Sequence, residues 1–142
     1  MFLGEYQYLI DEKGRVALPS KFRKEFRGKI YLTRGLDNCL FLFPEKEWQA
    51  LVEKLTSLPL SQANSRAFVR LMLAGASQVK IDKQGRINIP DYLRRYSFLK
   101  KEVVICGLYK RVEIWDKSQW QEYKRKTEKE AIDIAQELEG VI

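Results

Sequence analysis

Histidine is absent from the 142 residues, which removes the commonest metal ligand, the usual general base and every His-based catalytic triad. Cysteine is nearly absent: Cys39 and Cys106 lie far apart in the apolar runs C-L-F-L-F and V-V-I-C-G. Neither belongs to a C-x-x-C pair, so buried free thiols are expected and a zinc site is not. Long hydrophobic runs are also missing. The longest candidate, Ala67 to Ala76, is interrupted by Arg70 and falls short of a bilayer span. With no leader-like segment either, the expected location is cytoplasmic. There is no G-x-G-x-x-G, Walker A or G-x-S-x-G signature. No catalytic constellation and no cofactor or metal site is therefore expected.

What the chain does have is positive charge, unevenly placed. The net charge is +7. Residues 79–119 hold ten Lys/Arg against five Asp/Glu, and residues 1–47 hold nine against seven. Residues 120–142 are mildly acidic, with four against six. A basic body with an acidic tail suits a polyanionic partner.

It also repeats itself. Ile10 to Pro19 reads I-D-E-K-G-R-V-A-L-P and Ile81 to Pro90 reads I-D-K-Q-G-R-I-N-I-P, at a constant offset of 71. Gly35 matches Gly107 and Trp48 matches Trp120 at an offset of 72, so one residue is inserted between these blocks. A period this long suits two copied small domains, not a solenoid. Units of roughly 45 residues are near the lower limit for folding alone, so each copy needs a partner.

Each copy reads as β-β-α-β-β, an α+β pattern. A short strand (Tyr6–Ile10; Val79–Ile81) leads into D-x-x-G and a second strand (Arg15–Leu18; Arg86–Ile89). Asp first and Gly fourth suit a tight hairpin turn with positive φ at Gly14 and Gly85. Pro19 and Pro90 then end strand pairing and open short helices over Ser20–Phe26 and Asp91–Tyr96. A second hairpin follows in each copy: Ile30–Thr33 with Cys39–Phe43, and Val103–Cys106 with Val112–Trp115. Helical spacing predicts helices over Glu45–Leu58, Ser61–Ala74 and Lys117–Glu139, the last capped by Asp116 with Gln119 three residues on. The expected division is 5–47 for the first domain, 48–75 for a helical link, 76–119 for the second domain and 120–142 for a terminal helix. No segment is linker-like, so the copies are expected to pack together.

Strand alternation places Val16 and Leu18 on one apolar face with Arg15 and Ala17 opposite. Ile87 and Ile89 likewise oppose Arg86 and Asn88. One arginine per copy thus leaves the core side beside a tight turn. It could simply pin its own turn through Asp11 or Asp82. It could instead meet a ligand, since the arginine recurs while the turn interior varies. Lys13, Lys21, Arg23 and Lys24 stand near the first turn, and Lys80, Lys83, Arg94 and Arg95 near the second. No aromatic pair interrupts these stretches, which disfavours stacking on unpaired bases. An Arg-bearing β-ribbon does suit the major groove of duplex DNA. Phe41, Phe43, Trp48, Trp115 and Trp120 read as packing residues.

The opening M-F-L-G-E-Y-Q-Y-L-I-D-E-K-G-R-V-A-L-P-S-K-F-R and the second motif I-D-K-Q-G-R-I-N-I-P resemble the paired D-x-x-G-R signatures of the MraZ family, over essentially the whole chain. That family's chains hold two SpoVT-AbrB domains, so the resemblance implies tandem repeats forming an AbrB-like swapped-hairpin β-barrel with linking helices. It further implies a nucleoid-associated transcriptional repressor that binds double-stranded DNA. The target would be short repeated elements upstream of the division and cell-wall gene cluster, and the protein a ring-like homo-oligomer. Carried onto this chain, Arg15 and Arg86 would be the primary DNA contacts, Gly14 and Gly85 the turn formers, and Asp11 and Asp82 the turn organisers. Lys13 also fits the signature, although its counterpart is Gln84. Lys21, Arg23, Lys83 and Arg94 are the secondary contacts. Two other classes stay open on the residues alone: an antitoxin-like interaction module, against which the amphipathic terminal helix counts, and an enzyme, for which no constellation is found.

Overall fold

Alternating segments such as Arg15–Ala17 and continuous apolar ones such as Leu40–Phe43 and Val103–Cys106 form eight strands, and the computed structural model, which describes all 142 residues, arranges them in two sheets. The first repeat runs β1 (Phe2–Leu9), β2 (Arg15–Ala17), α1 (Ser20–Arg23), β3 (Ile30–Arg34) and β4 (Leu40–Pro44). The link is α2 (Glu45–Thr56) and α3 (Ala63–Val69), and α3 runs on into a π-helical turn over Arg70–Ala74. The second repeat runs β5 (Ser77–Val79), β6 (Arg86–Asn88), α4 (Asp91–Tyr96), β7 (Glu102–Tyr109) and β8 (Val112–Asp116). Two terminal helices follow, α5 (Lys117–Lys129) and α6 (Ala131–Glu137). The expected β-β-α-β-β order is therefore present twice.

The expected local hairpins at D-x-x-G are not. Strand β1 pairs antiparallel with β7, and β2 pairs with β6, so the strands leaving each turn find partners in the other repeat. Strand β5 likewise joins β3 of the first repeat. The six-stranded sheet is ordered β1-β7-β8-β4-β3-β5, and β2-β6 forms a separate two-stranded ribbon. The exchange has a physical cause. A three-residue strand on a local hairpin would leave its apolar face half covered, because small isolated ribbons bury too little. Crossed over, Val16, Leu18, Ile87 and Ile89 all enter one core with Leu32, Leu42, Ile105 and Ile114. All four ribbon residues are at most 2% exposed. This is the swapped-hairpin α+β fold that the resemblance implies.

The central strands β3, β4, β7 and β8 are buried on both faces of the sheet, whereas edge strand β1 is largely exposed. The sheet's other side carries Phe41, Phe43, Val104, Cys106 and Trp115, which pack with Trp48 and Leu55 of α2 and Met72 of the π turn. Trp115 also meets Trp120 and Tyr123 of α5, with ring centroids 5.2 and 5.1 Å away. The aromatic residues thus occupy the packing positions expected of them. Both cysteines are free and buried. The π turn exposes carbonyls that strand β3 takes up: Thr33 Oγ1 donates to Met72 O at 2.5 Å and Arg34 Nη1 to Leu71 O at 3.3 Å. A widened turn needs such partners for its backbone.

The terminal helix departs from expectation. Asp116 caps it as predicted, accepting from Gln119 N at 3.3 Å. It then breaks at Glu130 (φ −101°, ψ 10°) instead of reaching Glu139. Lys124, paired with Glu5 at 3.0 Å, is its last partly buried residue, and Arg125 to Ile142 are all exposed. A short helix off the body has no packing to hold it continuous. No helix is long and apolar enough to cross a membrane.

Candidate nucleic-acid interface

The strand exchange brings the two repeated turns together. In the ribbon, Arg15 stands opposite Asn88, Val16 opposite Ile87, and Ala17 opposite Arg86. Val16 and Ile87 point into the core, so Arg15, Ala17, Arg86 and Asn88 form the outer face of a single ribbon. The copies do not make two separate tips. Arg86 Nη1 even lies 3.9 Å from Asp11 Oδ2 of the other turn.

Each turn is organised by its aspartate. Asp11 Oδ1 accepts from Lys13 N at 3.0 Å and Arg15 N at 2.8 Å, and Oδ2 accepts from Arg15 Nε at 2.7 Å. Asp82 repeats the pattern with Gln84 N, Arg86 N and Arg86 Nε at 2.9, 2.9 and 3.0 Å. The backbone N–H of Arg15 is the main cause that holds the Asp11 carboxyl below its ordinary range, and that of Arg86 does the same for Asp82. An anion that accepts several N–H bonds resists protonation. Gly14 (φ 85°) and Gly85 (φ 78°) close the turns in the left-handed region, where only glycine is at ease.

Both readings of the arginines meet in this geometry. Each pins its turn with Nε, while its terminal nitrogens make no hydrogen bond. The Arg15 and Arg86 side chains are 34% and 29% exposed, so these outer ends reach solvent. A planar pair of N–H donors on a rigid ribbon suits a phosphate or a guanine edge.

Reciprocal contacts lock the turns to each other. Leu18 N donates to Gly85 O at 3.0 Å, and Ile89 N to Gly14 O at 2.8 Å. The side chain of Arg23 lies over Gly85, and that of Arg94 over Gly14. Both arginines are half-buried against the turns. Lys13 and Lys83 are exposed at the turn tips. Lys21 is exposed further away, with its Nζ 5.1 Å from the centre of the Tyr6 ring.

Two cations that sequence reasoning missed join the first turn. Lys100 and Lys101, just before β7, line one open depression of about 640 Å³ with Lys13, Arg15, Asp11 and Glu12. Ile10 N donates to Lys101 O at 2.9 Å, continuing the β1–β7 pairing. The doublet is visible in the sequence, but only the exchange brings it beside a turn nearly 90 residues earlier. Asn88, which strand alternation turns away from the core, joins the same outer face opposite Arg15.

Comparison with known proteins agrees with this architecture. The MraZ family model, described as "MraZ protein, putative antitoxin-like", matches twice, at residues 1–71 and 72–140. A protein of Acetivibrio thermocellus named Transcriptional regulator MraZ is 51% identical over 138 residues, 97% of this chain and 96% of its own length. One of Halothermothrix orenii with the same name is 49% identical over 141 residues, 99% of each chain. A third, of Natranaerobius thermophilus, is 48% identical over 138 residues, covering 97% and 96%. With the exchanged ribbon, the paired D-x-x-G-R turns and two family matches that together span nearly the whole chain, this protein belongs to the MraZ family.

Proposed function

We propose that this protein is a DNA-binding transcriptional regulator, acting as a repressor. Its sites would be short repeated elements of duplex DNA upstream of the division and cell-wall gene cluster, and it would work in the cytoplasm at the nucleoid. The observation that carries the reading is the ribbon itself: Arg15 and Arg86 share one outward face, each anchored at Nε with no hydrogen bond from its terminal nitrogens, Arg86 Nη1 making only a 3.9 Å ion pair with Asp11. A two-stranded ribbon fits the B-DNA major groove, and arginine is the commonest reader of guanine there. Lys13, Lys83, Lys100 and Lys101 would take the flanking phosphates, which fix position and register without reading sequence. Arg23 and Arg94 lie deeper and would act at the margin of that contact, with Lys21 beyond them. The relatives' shared name, Transcriptional regulator MraZ, supports the regulatory role.

A homo-oligomer, ring-like as the resemblance implies, would present several ribbons and multiply weak single contacts by effective concentration. The exposed apolar residues of the terminal segment, Ile132 (75%), Leu138 (57%) and Val141 (71%), are what such contacts would cover. The expected continuous terminal helix counts against an antitoxin-like interaction module, but its break at Glu130 leaves these residues unpacked and keeps that second reading open. A stoichiometric co-purifying partner, with no operator binding, would select it.

The decisive experiment is a gel shift against the DNA upstream of the chain's own gene, at several salt concentrations, with wild type, Arg15→Ala and Arg86→Ala. Both variants should bind more weakly while unfolding at nearly the wild-type temperature. Normal binding by both would exclude the ribbon as the interface.

A further inference from the structure

The ribbon is symmetric where it holds arginine and asymmetric at the next outward position. Arg15 and Arg86 are equivalent under the repeat, and so are Ala17 and Asn88. One half of the ribbon therefore offers a methyl group where the other offers a carboxamide. Asn88 is exposed and stands directly across from Arg15. Its Nδ2 donates to the Lys13 carbonyl at 3.3 Å, which aims the amide outward beside the first turn. That leaves one N–H and the whole of Oδ1 without a partner. An amide carries two donors and two acceptor lone pairs. The free donor–acceptor pair is complementary to N7 and the N6 amino group of adenine in the major groove.

We infer that Asn88 is a base-reading residue, contacting one adenine next to the base pair met by Arg15, with no counterpart at Ala17. The inference rests on the DNA-binding reading above and adds a specificity determinant to it. A purely structural role for Asn88, holding the Lys13 carbonyl, makes a different prediction: its loss would weaken binding to every sequence alike.

The test starts from a duplex pool with a randomised core, selected with the wild-type chain, followed by affinities for each single base-pair substitution of the selected site. Wild type should prefer adenine at one position, and Asn88→Ala should lose that preference by about five- to 150-fold, the usual worth of a bidentate contact. Its affinity for an unselected duplex should not change. Asn88→Asp, an acceptor only, should move the preference at the same position toward cytosine, whose N4 amino group donates. An unchanged base profile in both variants, or a uniform loss across all duplexes, overturns the inference while the DNA-binding reading stands. If wild type shows no base preference, and Arg15→Ala and Arg86→Ala bind as it does, both fall together.

Discussion

The side chain of Arg23, on α1 of the first repeat, occupies the space over Gly85 of the second repeat where a Cβ would stand. Arg94 does the same for Gly14, its Cζ 2.8 Å from the corresponding point, and Ile89 O lies 2.7 Å from it. Each turn is thus roofed by an arginine from the other copy, and two requirements meet at each glycine: positive φ and empty space.

Gly85→Ala should lower unfolding free energy by about 1–3 kcal/mol, the usual cost of a non-glycine residue held in that region. Urea unfolding of Gly85→Ala, Arg23→Ala and the double variant separates the two contributions. The double variant should be less destabilised than the sum of the singles, because removing Arg23 opens the space but leaves the φ penalty. Strict additivity would mean that Arg23 does not press on this site.

Lys100→Ala and Lys101→Ala should each reduce the slope of log affinity against log salt by about one unit, as the loss of one phosphate contact does. They should weaken binding to all duplexes equally, unlike Asn88→Ala. Anisotropy titrations at four salt concentrations on a selected and an unselected duplex would show this. An unchanged slope would place the doublet outside the interface.

Acid should loosen the ribbon in a defined sense. Asp11 and Asp82 have folded pKa values below their ordinary 3.8. Between the folded value and 3.8 the unfolded chain holds protons that the folded chain does not, so stability rises with pH through that window. It is fully present above the window and lost as pH falls through the folded pKa. Asp11→Asn with Asp82→Asn should lower stability at neutral pH and flatten this part of the acid limb. Glu102, held low by Lys117, and Glu122, held low by Arg125, will leave a residual slope. Urea midpoints measured over a pH series would reveal an unflattened limb if the turns did not contribute.

The two thiols should be inert until the protein unfolds. Cys39 is fully buried and Cys106 is 3% exposed, and loss of hydration pushes both thiol pKa values up, that of Cys106 to about 12. Only thiolates attack, so an aromatic disulfide reagent should label neither in native buffer and both in denaturant. Stoichiometric labelling of the native protein would contradict the two-faced sheet.

Much of this molecule was legible from residue order. Period-two alternation placed Val16, Leu18, Ile87 and Ile89 in the core and turned Arg15 and Arg86 away from it. Aspartate and glycine at fixed spacing specified the turns, and Asp116 with Gln119 specified a helix start. These are local properties, set by sterics and by hydrogen bonds within four residues. The end of the last helix was less legible. Its apolar spacing continues to Leu138, but the helix breaks at Glu130 because the body it packs on stops short of there.

Which strand pairs with which was not written in any local pattern. The sequence of Tyr6 to Leu18 is compatible with a hairpin, and only burial across both repeats makes the exchange the better solution, since four apolar ribbon residues then share one core. That choice sets Arg15 beside Arg86, faces Asn88 toward Arg15, and carries Lys100 and Lys101 to the first turn. Repeat, charge and side-chain direction belong to the one-dimensional chain because they depend on neighbours in sequence. The composite surface belongs to the fold, because hydrophobic burial is non-directional and is settled only when the whole chain competes for the same core.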